Sequence, residues 1–131
     1  MSLEIIPVSL ETEIKPGDDL IELMLASKSG PCICDGDILV FTQKIISKQE
    51  GRVVNLSNIE PTLLAIGMSS EYRKDPRIIQ LILDQSKRIV RLHNGVIISE
   101  TIHGFICANA GVDESNVEKG YAVLIDQVSI V

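Results

Sequence analysis

Three stretches of the chain carry apolar residues at helical spacing. Leu20–Leu25 follows Asp19, an acid suited to cap a helix at its positive end, and this helix should end within Ser27–Pro31. A second pattern runs from Pro61 to Ser70. The third begins at Asp75-Pro76, a cap followed by proline at the first helical position. Its apolar residues form a stripe that should face the core: Ile78, Ile79, Ile82 and Leu83.

The first half of the chain also contains two apolar runs typical of strands. Leu3–Val8 predicts an edge strand or a strand that ends at Pro7, because Pro7 cannot donate to a ladder. Ile38–Phe41 is continuously apolar and follows an Asp-Gly-Asp turn, so it predicts a strand buried on both faces. The polar, basic run Thr42–Arg52 comes directly after it, a common way to place functional side chains at a sheet edge.

A meander of strands is predicted in the second half of the chain. Asn94-Gly95 is a strong hairpin signal, and His103-Gly104 predicts a second turn. The predicted strands are Arg88–Leu92, Val96–Ile102, Phe105–Ala108 and Tyr121–Ile125, with Val53–Asn55 as another short strand and Asp126–Val131 as a strand continuation or tail. Together the patterns predict an α+β fold, with a mixed or antiparallel sheet and about three helices in a single compact unit.

Composition narrows the classes of function. The 131 residues carry a net charge of −6 and only 3% aromatic residues, which argues against binding of nucleic acid because phosphates would be repelled and stacking platforms are scarce. No apolar run approaches the ~20 residues that span a bilayer. Three cysteines without a leader at the start predict a cytoplasmic protein with free thiols.

The thiols and histidines offer little chemistry. Cys32 and Cys34 are separated by one residue, whereas ordinary zinc knuckles have two and a second pair, so free thiols are favoured over a zinc or redox site. Cys107 lies on a predicted core strand. His93 and His103 lie in predicted turns, where a histidine is expected to be exposed. Sequence motifs of Walker, Rossmann or serine-hydrolase sites are missing from the sequence.

The run HGFICANAGVDESN, from His103 to Asn116, combines a turn, a strand and a corner of small residues. Asp113 could hold a divalent cation and Asn116 could hydrogen-bond a nucleotide. The alternative is that Asp113 caps a short helix over residues 114–116. Residue chemistry alone favours the cap, because one carboxylate does not make a metal site.

Basic residues concentrate four residues apart at Lys44, Lys48 and Arg52, so they share one face if this run is a helix rather than a loop. They could neutralise the phosphates of a nucleotide. The alternative, a solvated helical face balanced by nearby acids such as Glu50, is the more common situation.

Three runs in this order resemble the coenzyme F420-0:L-glutamate ligase family. They are EIKPGDDL (13–20), DILVFTQKIISKQEGR (37–52) and ETIHGFICANAGVDESNV (100–117), and KDPRIIQLILDQS between the last two is also similar. The resemblance implies an enzyme that joins L-glutamate to the lactyl carboxylate of the F420 precursor. It further implies GTP, a divalent cation (Mg²⁺ or Mn²⁺), an acyl-phosphate intermediate and a homodimer.

The same resemblance assigns roles to particular positions. Asp113 matches the metal-binding acid of the family, and the positions that match nucleotide contacts are Gln43, Lys44, Lys48 and Asn116. Glu11–Ile14 matches another nucleotide contact, although Glu11-Thr12 replaces the Leu-Pro usual there.

Members of the family are about twice as long, so the resemblance predicts that this chain is the N-terminal portion of the family fold, a fragment without a complete metal site. Two alternatives stay open. The chain could be a non-catalytic nucleotide-binding or assembly module that keeps the fold, or a thiol-metal protein using Cys32 and Cys34.

Overall fold

The computed structural model describes residues 3–28 and 32–124. Its contacts divide the chain into two compact units, a first that ends at Gly51 and a second that begins at Arg52. Neither Leu3–Val8 nor Ile38–Phe41 joins a sheet in the described part of the chain.

Two short helices build the first unit. α1 spans Leu20–Ala26 and is capped as predicted, since the Asp19 carboxylate accepts hydrogen bonds from the backbone N–H groups of Ile21 and Glu22. α2 spans Gln43–Gln49. The buried apolar side chains of α1 and of the segment before it are Ile14, Leu20 and Met24.

The two strands predicted for this unit are wrong. Leu3–Val8 and Ile38–Phe41 are extended without a ladder, and Ile5, Ile38 and Val40 are each more than four-fifths exposed, at 83%, 86% and 87%. A strand depends on a hydrogen-bonding partner as well as on β-branched side chains. The described residues supply no partner to either run.

The second unit packs two helices against its strands. α3 spans Leu63–Tyr72 and is capped by Thr62, whose hydroxyl accepts the backbone N–H of Ala65. α4 spans Pro76–Asp84 and starts at the predicted Asp75 cap. The predicted stripe of α4 is confirmed as the centre of the core: Ile78, Ile79 and Ile82 are buried and Leu83 is partly buried.

The predicted meander is confirmed as an antiparallel three-stranded sheet. Its strands are β2 (Ser86–His93), β3 (Val96–Thr101) and β4 (Ile106–Ala108), with β3 in the middle. Asn94 and Gly95 both have positive φ, 47° and 76°, as a tight two-residue hairpin requires. Inward positions of β3 are buried, among them Ile97 and Ser99, so this strand anchors the sheet to the core.

A separate two-stranded sheet pairs β1 (Val53–Asn55) with β5 (Tyr121–Val123) in antiparallel register. The predicted final strand, Tyr121–Ile125, is therefore present to Val123, and its last residue and the predicted tail Asp126–Val131 lie outside the described residues. The α+β class is confirmed. The described residues contain four α-helices, and α2 is the one beyond the three that the apolar pattern predicted. None of the four has the length and apolar character needed to cross a membrane.

Candidate functional site

Helix α2 carries three of the predicted nucleotide-binding residues, Gln43, Lys44 and Lys48. The helix is held by a polar contact: the Gln43 amide donates to the hydroxyl of Ser47, which is completely buried. Lys44 and Lys48 are half-buried. The sequence left open whether this basic run is a loop or a helix, and it is a helix over Gln43–Gln49.

Arg52 does not share their face. α2 ends at Gln49, and the chain turns at Gly51 with a φ of 70°, so Arg52 belongs to the second unit. A left-handed residue ends the helix, so a residue four positions after Lys48 no longer lies on the same helical face. The predicted face of three basic side chains is therefore wrong in its last member.

Lys48 has an acidic partner. Its Nζ lies 3.1 Å from Oε1 of Glu13, in the segment matched to a further nucleotide contact. The Lys48 side chain is only 15% exposed, while that of Glu13 is 76% exposed. Burial of the lysine makes its charge costly to leave unpaired, so an anion must lie near it. In this structure, that anion is Glu13.

The segment that carries Glu13 is fixed beside the end of α2. Gly17 donates its backbone N–H to the carbonyl oxygen of Gln49 at 2.8 Å. A side chain at Gly51 would reach Pro16 at 3.6 Å, which shows how closely the two backbones approach. Two positions that the sequence matched to separate nucleotide contacts, Glu13 and Lys48, are thereby brought together.

The small-residue corner in the second unit has an unusual backbone. Asn109, Ala110 and Gly111 follow one another with positive φ values of 53°, 49° and 72°. A left-handed residue other than glycine costs roughly 1–2 kcal/mol, and Ala110 accepts that cost while 98% buried. Such strain persists only where surrounding packing enforces it, so the path of the chain into Asp113 is closely determined.

Asp113 lies directly after this corner. Its backbone exchanges two hydrogen bonds with Val123, and its carboxylate accepts the Ser115 N–H at 2.9 Å and the Ser115 hydroxyl at 2.8 Å. The predicted short helix over residues 114–116 is wrong, because Asn116 is left-handed with a φ of 59° and the segment forms a turn. Asp113 stabilises that turn as a cap would, without a helix following it.

The fit of a divalent cation to this corner is incomplete. Both oxygens of Asp113 already accept hydrogen bonds from Ser115. Across residues 3–28 and 32–124, no group of three or more His, Cys, Asp or Glu side chains is close enough together to hold a metal. Mg²⁺ and Mn²⁺ prefer several oxygen ligands, so Asp113 would need ligands from outside the described residues.

The predicted site residues thus fall into two groups. Gln43, Lys44 and Lys48 share one helix of the first unit. Asp113 and Asn116 share one turn of the second, with Asn116 exposed.

Two buried polar groups were not anticipated. The hydroxyl of Ser99 and Nε2 of His103 are buried and lack a hydrogen-bond partner in the described parts of the chain. His103 was expected to be exposed, but it is half-buried. The inward position of Ser99 in an alternating strand was the available signal.

The cysteines follow the prediction of free thiols. Cys32 and Cys34 are exposed and Cys107 is half-buried in β4. Burial raises the pKa of the Cys107 thiol, so it is protonated and unreactive at neutral pH.

Comparison with known proteins gives a consistent result. The model of the F420-0:Gamma-glutamyl ligase family matches residues 10–127. A coenzyme F420:L-glutamate ligase of Methanocaldococcus jannaschii is 44% identical over 117 residues, which cover 89% of this chain and 47% of that protein. The corresponding ligase of Methanopyrus kandleri is 40% identical over 126 residues, 96% and 49% of the two chains. The chain spans about half the length of these curated relatives.

Proposed function

Because this chain belongs to the F420-0:gamma-glutamyl ligase family, we propose that it forms part of a ligase that joins L-glutamate to the precursor of coenzyme F420. The observation that carries the proposal is the family match, which extends over residues 10–127. Relatives at 40% identity or more are named coenzyme F420:L-glutamate ligases.

The proposed reaction uses GTP to activate a carboxylate. An oxygen of the precursor's lactyl carboxylate attacks the γ-phosphorus of GTP, and GDP leaves with the electron pair of the broken P–O bond. The amine of glutamate then attacks the acyl carbon, phosphate leaves and the amine proton passes to solvent. Positioning and neutralisation of charge dominate such phosphoryl transfers.

Lys48 is the residue of this chain best suited to neutralise phosphate. It is a half-buried cation held in place by one carboxylate, and low exposure strengthens its interaction with any anion. Gln43 and Lys44 are proposed to contact the nucleotide beside Lys48, and Asn116, in the second unit, is proposed separately as a nucleotide-binding residue. Support for the first two is their shared helix with Lys48.

Asp113 is proposed to supply one ligand to Mg²⁺ or Mn²⁺. The strained corner before it restricts its backbone, which suits a residue that must present a carboxylate in one position.

A homodimer is part of the same proposal. β2 and β4 form the two edges of the three-stranded sheet, and Leu92 and Ile106 on them are 40% and 61% exposed. Exposed apolar edge strands favour pairing with another chain. Light scattering of the chain at several concentrations tests this element separately: a mass of one chain throughout would contradict it.

Calorimetric titration with GDP in the presence of Mn²⁺ tests the nucleotide site. We expect Lys48→Ala to weaken binding about tenfold or more, since a charge-assisted hydrogen bond contributes ~1.5–3 kcal/mol. Lys28→Ala is the matched control, because Lys28 is a lysine of the same unit whose side chain is 87% exposed. Equal affinity of wild type and Lys48→Ala would contradict the assignment.

The alternative is a module that binds nucleotide without catalysis. Incubation with GTP, Mn²⁺, L-glutamate and the F420 precursor separates the two. Formation of the glutamylated product, detected by mass spectrometry, supports the ligase. GDP binding without product supports the module.

A further inference from the structure

The segment Ile38–Phe41, here called the docking segment, has the form of a strand without a partner. Exposure alternates along it, with Ile38 at 86%, Leu39 at 41% and Val40 at 87%, and Phe41 half-buried. This period of two is the pattern of extended backbone. None of its backbone N–H or C=O groups is hydrogen-bonded within residues 3–28 and 32–124.

Structured elements hold the docking segment at both ends. Before it, Asp37 closes a turn by donating its N–H to the Cys34 carbonyl at 3.1 Å and accepting the Cys34 N–H on its carboxylate at 2.8 Å. After it, the Thr42 carbonyl accepts the first hydrogen bonds of α2. A four-residue stretch fixed in this way loses little additional entropy when it joins a sheet.

An apolar groove of about 160 Å³ lies along the docking segment. Eight residues line it, all apolar, and those outside the segment are Val8, Leu10, Met24 and Ile45. Because all of these lining side chains are apolar, the groove suits the aliphatic side chains of a partner.

We propose that the docking segment accepts a β-strand from the half of the family's ligases that this chain does not match. That strand would hydrogen-bond to the backbone of residues 38–41 and place aliphatic side chains in the groove, the mode of recognition called β-augmentation. The relatives are the reason for this occupant: the matched region is only 47–49% of their length, so each carries as much polypeptide again. The inference depends on family membership, but not on the proposed nucleotide site.

A second copy of this chain fits the segment less well. Two four-residue segments paired with each other would form an isolated two-stranded ladder, which is marginally stable in water. A strand covalently joined to the same protein binds at an effective concentration in the millimolar range, and its remaining structure can cover the groove. A strand from the unmatched half of the ligase is therefore the better occupant of the docking segment.

Amide hydrogen exchange decides between these occupants. The samples are this 131-residue chain and the full-length ligase of Methanocaldococcus jannaschii. We expect the amides of Leu39, Val40 and Phe41 to exchange rapidly in this chain, and the matching amides of the relative to exchange about a hundredfold more slowly. Gly120, in an open turn, serves as the control and should exchange rapidly in both proteins.

Three outcomes would overturn the proposal. Rapid exchange in both proteins would show that no ladder forms. Equal protection in both would show that these 131 residues cover the segment themselves. Protection of the relative that disappears on dilution would identify a second copy as the partner.

A substitution gives an independent measurement. The substitution is lysine at position 40 of this chain and at the aligned position of the Methanocaldococcus jannaschii ligase. We expect it to lower the Tm of that ligase by several degrees, whereas Val40→Lys should leave the Tm of this chain unchanged. Ala26→Lys is the control in this chain, since Ala26 is exposed at the end of α1 and a cation there suits the helix dipole. An equal change in Tm in both proteins would contradict the proposal. Where the variant of the relative does not fold, hydrogen exchange of the two wild-type proteins is the deciding test.

Discussion

Lys48 and Glu13, separated by 35 residues in sequence, form an ion pair with Nζ 3.1 Å from Oε1. The lysine is largely buried and the glutamate is largely exposed. Glu13 therefore pairs with the ammonium group of Lys48, which the proposed function assigns to a nucleotide phosphate. A phosphate bound there would compete with the carboxylate for the same ammonium group.

This competition predicts that Glu13→Gln increases affinity for GDP. Removal of the carboxylate lowers the cost of placing phosphate beside Lys48, by an amount comparable to an exposed ion pair, so we expect affinity to rise about twofold to fivefold. Calorimetric titration with GDP measures it. Glu22→Gln is the control, because Glu22 is an exposed glutamate of the same unit, on α1, with no role assigned in binding. Weaker binding by Glu13→Gln would show instead that Glu13 orients the lysine for the nucleotide.

Asp113 has two roles that substitution can separate. Its carboxylate accepts hydrogen bonds from the backbone N–H and from the hydroxyl of Ser115. The side-chain oxygen of an asparagine could still accept the hydrogen bond from the backbone N–H. We expect Asp113→Ala to lower the free energy of unfolding by about 1 kcal/mol, and Asp113→Asn by clearly less. Urea denaturation measures both. Equal losses would show that charge, not the turn, is what the fold requires.

The proposed metal role of Asp113 gives a further prediction. Asp113→Asn should keep the fold but reduce the gain in GDP affinity produced by Mn²⁺, because an amide is a weaker ligand than a carboxylate for a hard cation. Ser115→Ala, which removes one hydrogen bond to the carboxylate, should retain that gain. Titrations with and without Mn²⁺ test this, and an unchanged Mn²⁺ effect in Asp113→Asn would remove Asp113 from the metal site.

Local signals explain which parts of the fold could be predicted. The Asp75-Pro76 cap and the Asn94-Gly95 turn each determine backbone conformation within a few residues, and both are confirmed. The strands predicted at Leu3–Val8 and Ile38–Phe41 are wrong because a strand also needs a distant partner, which a run of apolar residues does not specify.

The same contrast between local sequence signals and contacts of distant residues applies to the candidate site. The helix that carries Lys48 was not among those that the apolar pattern predicted, because the run is polar and its four-residue spacing is only compatible with a helix. The pairing of Lys48 with Glu13 is a contact between distant positions. The left-handed conformation of Ala110 had no sequence signal, because alanine rarely adopts it and only the surrounding packing enforces it. Small residues marked the corner without revealing its conformation.

Asp75 predicts a dependence of stability on pH. Hydrogen bonds from the Arg77 guanidinium, at 2.6 and 3.0 Å, hold the pKa of the Asp75 carboxyl below its ordinary value, while partial burial opposes this. The stabilisation is therefore fully present above about pH 3.9, the value in the unfolded chain, and is lost as pH falls through the lower pKa of the folded state.

Arg77→Met removes this pairing and keeps the backbone cap. We expect the urea midpoint of Arg77→Met to be slightly below that of wild type at pH 7 and the difference to disappear as the pH falls through the lowered pKa of Asp75. Arg91→Met is the control, because Arg91 is an exposed arginine on β2. A difference that grows as pH falls would contradict the assigned direction of the pKa shift.

The junction of α3 and α4 offers the last prediction. Arg73 ends α3 in the left-handed region, with φ 52° and ψ 40°, and its side chain is exposed. Glycine avoids a steric cost of roughly 1–2 kcal/mol there, offset by roughly 0.5–1 kcal/mol of extra freedom in the unfolded chain. We expect Arg73→Gly to raise the free energy of unfolding by about 0.5–1 kcal/mol, and Arg73→Ala, which keeps the strain, to change it little. An increase with alanine as large as that with glycine would show that the arginine charge, rather than its backbone conformation, destabilises the junction.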